Sequence, residues 1–600
     1  MRAQMNMSGH DMGDTKEIPP PSALPAPLHL TGIGNVELRI TATPEAQGWF
    51  TQGLNLLHDF WDYEAARAFE QSVRVDPNCA MCYWGLYQTA NFRHSLGPGY
   101  SKAALDNAVR LSHHASKKER LYIEAAVAEQ ASESGIQPTG KTHKPSHGTS
   151  IAESPQTTIL RKIVKLDPSD NQAKILLAES LMDGYNDKGE PRPGTQQGID
   201  ILAEALKSSP NDSALNHYWI HAMEPSSHPE RAIPSAQLLA SLAPASGHMV
   251  HMPGHIFYRC GDYAQADHWF AASTAVDEAY MRDQHVPVDD DWNYVHNLMY
   301  GIANLMEEGK LHQATTLSAK LAAARGEFSE TLYVGSPRDS ITRVNTQLPV
   351  ALRTGDWKSV LTLLASSPIP PDTKLENLLF LSGQLQHFAS GMLALQNSDV
   401  ASAQLASNAL DADLWRTSQR LNSEAEMKAK AAPKKDPDPS APTVVKAQVM
   451  PDAMAQPLIS SLSIMSLELR ASILAAQHKL LESKALFAQA AGLEKKLGYR
   501  EPPTYIRPVG ETEGLALLAA DDPAGAHEAY AAALAERPNS GFSLYGLASA
   551  SEAAHKPDVA RAEYTRFLDA WKDSDPSTPE KDHARNFLAT QSTLASAAHP

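Results

Sequence analysis

The chain has 600 residues, 42% of them hydrophobic and 20% charged, with a formal net charge of −17. Six hundred residues exceed a single hydrophobic core, so several domains or one extended repeat array are expected. A groove that grips a phosphate backbone needs a basic field, so the acidic balance argues against a nucleic-acid partner, and the lack of a run of about 18 apolar residues predicts no membrane-spanning helix.

Residues 1–40 read as a flexible arm. The opening MRAQMNMSGHDMGD runs into the proline-rich EIPPPSALPAP. It lacks the apolar stretch of a signal peptide, as expected of an exported chain whose signal has been removed. Met5, Met7, His10 and Met12 are candidates for a soft copper-binding arm, because thioethers favour Cu(I).

Residues 41–423 read as a main array of helical hairpins. The first clear unit runs from Trp49 to Pro77, with Tyr63, Ala66 and Phe69 placed to pack small and large residues between its two helices. Only three cysteines occur, Cys79, Cys82 and Cys260, too few for a disulfide framework. Tyr83 follows the C-x-x-C, which excludes covalent haem attachment, and the absence of a second C-x-x-C excludes a four-cysteine zinc site. After Asp76-Pro77, Cys79 and Cys82 should sit one turn apart at a helix start, near enough to bond and without a metal. Two small packing residues are the preferred reading, and a redox or disulfide pair the alternative. Ser132 to Pro155 reads as a polar excursion and Tyr185 to Thr195 as a turn. Further hairpins are marked by Pro168, Pro210 and Pro244 and by Gly-containing turns at Gly261, Gly309 and Gly355.

Histidines carry the chemistry. His217 and His221 lie four apart, and His251 and His255 repeat that spacing 34 residues later. Thirty-four residues is the period of a tetratricopeptide unit, so the two pairs should face each other from adjacent hairpins. Glu224 extends the first set and His248 the second, each along one helical stripe. His296 stands to the Gly309 turn as His248 stands to the Gly261 turn, which brings a third helix to the same face. His217, His221, Glu224, His248, His251, His255 and His296 are therefore candidate ligands for a transition metal: zinc, copper or iron. Seven are too many for one tetrahedral ion, so two ions share the face or some residues orient the others. Asn297, Asp289, Asp290 and Asp291 are candidates for that outer role. Pro253 removes an N–H inside the second stripe, which predicts a bend and a freed Met249 carbonyl. The bland alternative is a polar groove whose imidazoles bond water, backbone or each other.

Residues 424–457, with AKAAPKKDPDPSAPTVVKAQVMP, hold too few large apolar residues for a core and read as a mobile linker. Residues 458–575 read as C-terminal helical repeats and 576–600 as a flexible tail. Strand-like alternation is sparse, which leaves an all-α solenoid of tetratricopeptide-like hairpins.

The segments FWDYEAARAFEQSVRVDPNCAMCYWGL, HYWIHAMEPSSHPERAIPSAQLLASLAPASGHMVHMPGHIFYRCGDYAQA and PNSGFSLYGLASA resemble a group of large bacterial tetratricopeptide-repeat proteins. The resemblance runs from about Thr41 to Trp571 and rests on the I-H-x-x-E and H-M-x-H-M-P-x-H strings. It implies a helical-repeat fold and a periplasmic or secreted location, and no catalytic residues. The function expected is an exported repeat protein that binds one or two transition-metal ions, with a groove for a protein or peptide partner. A metal-dependent hydrolase or oxidoreductase and a metal-free scaffold are the alternatives. No H-E-x-x-H, G-x-S-x-G or glycine-rich phosphate loop accompanies the histidines.

Overall fold

The computed structural model describes residues 25–92, 98–133, 153–286, 291–324, 339–366, 376–430, 456–503 and 505–598, with Lys16, Glu17, Ser22, Val288, Lys446 and Ala447. Among them the fold is an all-α solenoid of packed helical hairpins. The strand pairing there is slight: Lys16–Glu17 runs antiparallel to Lys446–Ala447, and Tyr185 bridges Pro191.

The first hairpin shows how the sequence builds a unit. The Thr43 side chain caps the helix Pro44–His58 by accepting from the Ala46 N–H, and Pro44 occupies a position that needs no donor. Asp62–Val75 returns antiparallel, and Ala80–Phe92 begins the next unit. Phe69 wedges its ring where the neighbouring helices carry glycine. A Cβ on Gly53 would stand 2.8 Å from that ring and one on Gly85 2.3 Å. Tyr530 repeats the arrangement between Gly514 and Gly546. One large ring filling two side-chain-free notches sets the close approach of successive hairpins.

Three straps and tethers close the array on itself. Residues 25–40 are not a flexible arm, as the composition suggested. They run across the helix Pro44–His58, where the side-chain amides of Gln47, Gln52 and Asn55 each pair with strap backbone. Val36 N–H donates to Asn55 Oδ1 at 2.8 Å, and Asn55 Nδ2 donates to the Val36 carbonyl at 2.9 Å. Ile33, Val36 and Leu38 are buried, each worth about 1.5–3 kcal/mol if fully withdrawn from water. Prolines dominated the composition and hid these apolar residues. Met5, Met7, His10 and Met12 lie outside the described residues.

At the other end, residues 576–598, expected to belong to a flexible tail, are not a tail either. Pro579–Ala598 is a helix that packs on Pro557–Ala570 through Ala584, Phe587 and Leu588, an i, i+3, i+4 stripe. Residues 424–430 continue the helix Val400–Lys430, beyond the expected linker boundary. Apart from Lys446–Ala447, the remainder of 424–455 lies outside the described residues. The helix within Gln456–Ala476 is long and apolar enough to cross a membrane by length and composition over Leu458–Ala476. Here it is a core helix: Leu462, Leu469 and Ile473 are buried against the flanking helices.

The third tether is ionic. Arg353 is sealed from solvent and bonds both oxygens of Glu307, at 2.9 Å each, as well as Glu511. Arg537 reaches Glu307 at 2.8 Å, and the Ser540 hydroxyl donates to it at 2.5 Å. Trp571 Nε1 donates to the Glu307 carbonyl at 2.9 Å, while the Tyr263 hydroxyl donates to the Pro538 carbonyl at 2.8 Å. The C-terminal repeats thereby dock against the central hairpins instead of trailing from them.

Cys79 and Cys82 lie at the start of the helix Ala80–Phe92, as their spacing predicts. They are joined as a disulfide and both are buried, which displaces the preferred reading of two free packing residues. Cys260 is the free thiol.

Arg353→Met should lower unfolding stability by about 3–5 kcal/mol in denaturant titrations, because Glu307 and Glu511 would stay buried without their cation. Burial pushes the Glu307 carboxyl up, but Arg353 and Arg537 overcome this and hold it at about 2, against 4.5 ordinarily. Its stabilisation is full above pH 4.5 and lost as pH falls towards 2, so the variant should show a shallower acid-side loss. In thiol labelling of denatured protein, only Cys260 should react before reduction and all three cysteines after it. Reaction of three thiols without reductant would show that Cys79 and Cys82 are not joined.

Candidate metal centre

Three helices bring the histidines together. Ser213–Met223 carries His217 and His221, with Glu224 as its C-terminal cap. Gly247–Arg259 carries His248, His251 and His255 and runs through Pro253. Trp292–Glu307 carries His296. The first two helices start at side-chain caps, Asp212 accepting from Leu215 N–H and Ser246 from Met249 N–H. Those caps are 34 residues apart, so the register expected of the histidine pairs is set where the helices begin. Asn35 of the strap braces the first helix by accepting from Ser213 N–H at 2.9 Å. Arg259 ties the two helices by donating to the carbonyls of Glu224 and Ser226, at 2.9 and 3.1 Å.

All seven sequence-derived residues converge. Ligand atoms of His217, His221 and His248 lie within 4.8 Å of one another, as do those of His251, His255 and His296. A third group of this kind joins His221, Glu224 and Glu501. Whether these groups suit an ion rests on the orientation of each ring.

That orientation is fixed from outside. His217 Nδ1 faces the His58 carbonyl at 2.6 Å. His221 Nδ1 faces Glu224 Oε1 at 2.8 Å, and His255 Nδ1 faces Glu224 Oε2 at 2.7 Å. Carbonyl and carboxylate oxygens only accept, so these three rings carry their proton on Nδ1. His251 Nδ1 meets Asn297 Oδ1 at 2.7 Å, and Asn297 cannot be turned over because its Nδ2 donates to the Phe270 carbonyl at 2.9 Å. His248 Nδ1 meets Asn293 Oδ1 at 3.2 Å, while Asn293 Nδ2 donates to Asp277 at 2.8 Å. Five rings thus share one tautomer, with Nε2 as the lone-pair nitrogen.

Those lone pairs face each other. His217 Nε2 and His221 Nε2 are 3.0 Å apart, and His251 Nε2 and His255 Nε2 are 2.6 Å apart. A proton between them would relieve the repulsion, but burial, then the neighbouring imidazoles, holds His217 and His251 well below 6.5. Burial also lowers His255, partly offset by Glu224. For Glu224 burial alone would raise the pKa. His221 and His255 prevail and hold it well below the carboxylate range.

Aromatic rings wall the face. Phe60 stacks on His221 and His248 at 5.1 and 5.3 Å between centroids, and Tyr300 lies 4.6 Å from His255. Sequence reasoning missed three participants. Asn293 shares the stripe of Asn297, one turn earlier, and that spacing was available as a signal. Tyr499 and Glu501 arrive from the C-terminal repeats with no local signal. Tyr499 donates to Glu224 Oε2 at 3.4 Å, and Glu501 Oε2 lies 3.6 Å from His255 Nδ1 and 3.9 Å from His296 Nε2. Burial, then Glu224, pushes the Glu501 pKa well above its usual value. Of the other expected outer residues, Asn297 holds His251, and Asp291 instead caps the third helix by accepting from Tyr294 N–H at 3.1 Å. Asp289 and Asp290 lie outside the described residues.

Fold and face together define a tetratricopeptide-like helical-repeat protein with a histidine-lined interior. No protein-family model and no curated protein matches the sequence. Solved structures that resemble it in outline include the human IFIT1 dimer with m7Gppp-AAAA, at 8% identity over 88% of this chain and 91% of that one, TM-score 0.30. Yeast Tom70 is similar at 12% identity over 92% and 96%, TM-score 0.26, and the APC/C hetero-tetramer Cut9–Hcn1 at 10% over 91% and 96%, TM-score 0.27. Likeness at this level carries no argument, and the architecture rests on the hairpins themselves.

In metal-free protein at neutral pH, long-range ¹H–¹⁵N correlation of labelled histidine should show His217, His221, His248, His251 and His255 protonated on Nδ1 and bare at Nε2. A doubly protonated ring in either facing pair would show that a proton, not an ion, settles the repulsion.

Proposed function

We propose that this is an exported helical-repeat protein that binds one or two transition-metal ions on the face formed by His217, His221, Glu224, His248, His251, His255 and His296. One observation carries the reading. Two pairs of buried imidazoles aim lone pairs at each other, each ring held in the metal-binding tautomer by an acceptor behind it. The 3.0 Å between His217 and His221 Nε2 is close to the spacing of neighbouring ligands on an ion at about 2.0–2.1 Å, a spacing to which the 2.6 Å His251–His255 pair has to open, and an acceptor behind each ring is the usual support of such ligands. Imidazole with nearby carboxylate suits zinc, copper or iron. Export is supported by the buried Cys79–Cys82 disulfide, since such bonds persist in oxidising compartments. The helical scaffold suits a protein or peptide partner in addition.

Protein purified after exposure to zinc or copper should retain at least one equivalent of metal by elemental analysis. A His221→Ala, His255→Ala double variant of unchanged helicity should lose it. Equal metal content in the two proteins would leave the metal-free scaffold standing. Hydrolysis or oxidation that appears only with the metal-loaded wild type would favour the enzymatic alternative.

A further inference from the structure

The six imidazoles form two matching triangles. His217, His221 and His248 have ring centroids 4.7, 5.0 and 5.9 Å apart. His251, His255 and His296 give 4.5, 4.9 and 5.9 Å. Each triangle takes an i, i+4 pair from one helix and a single histidine from the next helix. No residue is shared between them, and their nearest rings, His248 and His251, are 6.0 Å apart. The outer contacts follow the same pattern. The first ring of each pair is held by a neutral oxygen, the His58 carbonyl or the Asn297 amide. The second ring of each pair is held by Glu224, one oxygen for His221 and the other for His255. Glu224 therefore meets Nδ1–H groups on both sides and spans the two triangles from outside.

Resting on the metal-binding reading and deepening it, we propose that the face is a two-ion centre with a small anion as its third component. His217, His221 and His248 hold one ion through Nε2, and His251, His255 and His296 hold the other. Glu224 stays outside both coordination spheres and orients one ring of each. Three protein ligands leave a tetrahedral ion with an open position. Six neutral imidazoles also supply no charge, so two divalent ions bring four positive charges against the carboxylates of Glu224 and Glu501. A buried charge of that size requires compensation, and hydroxide, azide or a comparably small anion at the open positions supplies it. Phe60, Trp292 and Tyr300 crowd the rings and favour a small ligand over a bulky one.

The test is stoichiometry, read on the full chain with zinc or cobalt by elemental analysis after gel filtration. Wild type should carry two equivalents. His217→Gln with His221→Gln should carry one, His251→Gln with His255→Gln should carry one, and all four together none. Should a double variant lose helicity, His248→Gln and His296→Gln each remove one ligand from one triangle and should each leave one tightly held ion. Glu224→Gln should still carry two, held about 10–100-fold more weakly, as for loss of an outer hydrogen bond to a ligand. With copper(II) bound, azide should produce a new charge-transfer band. A wild type without metal would sink the metal reading itself. One equivalent in wild type, or loss of all metal from either pair variant, would overturn the two-ion centre and leave metal binding intact. Loss of an ion from Glu224→Gln would make that carboxylate a ligand, and silence towards azide would close the positions assigned to the anion.

Discussion

A carboxylate sealed from water is tolerable only when both its oxygens are answered, and Glu224 sits at the end of a helix with no exposure at all. His221 answers one oxygen from the same helix and His255 the other from the next, and Tyr499 adds a hydroxyl from 275 residues away. Removing His221 leaves one buried oxygen unsatisfied and removing His255 leaves the other with only the longer bond from Tyr499, so the spacing of the two helices, their rotation and the tautomers of two rings are set together. Arg259 gives a second clasp between the same helices through the Glu224 carbonyl. The groups that orient the rings of the His face are also the groups that hold its helices.

Much of this was legible along the chain because it is periodic. Two helices opening at capping residues 34 apart, each with histidines four apart, can present those side chains in only one way. Glu224 was found for its position on the stripe, yet its geometry is that of an acceptor behind two rings. That distinction needs both helices in place and has no signature in either one. Asn293 was within reach of the same periodic reasoning. Tyr499 and Glu501 were not, since they meet the face only through the docking of Arg353, Glu307, Glu511 and Arg537. That ionic knot is assembled from three separate helices and from Arg537, the C-terminal cap of a fourth.

The misread ends share a cause. In residues 25–40 and 576–590 composition was weighed over pattern. Prolines and charges hid Ile33, Val36 and Leu38 in one case, and Ala584, Phe587 and Leu588 in the other. The strap also shows why extended chain is stable here without a sheet. Three side-chain amides on one helix offer it paired donors and acceptors, as a neighbouring strand would. The disulfide illustrates a different limit. Spacing showed that Cys79 and Cys82 could meet, while the burial of both sulfurs became visible only with the helices packed round them.

Tyr499 and Glu501, which meet the His face from the C-terminal repeats, belong to the last third of the chain, and this sets an order of events. A polypeptide is made from its N-terminus, so all six imidazoles emerge before Tyr499 and Glu501, with about 200 residues between His296 and Tyr499. During that interval the three helices can pack locally, since their contacts are short in sequence. The order of synthesis therefore lets the face form before Tyr499 and Glu501 reach Glu224 and His255, and gives anything that fills it an early moment to enter.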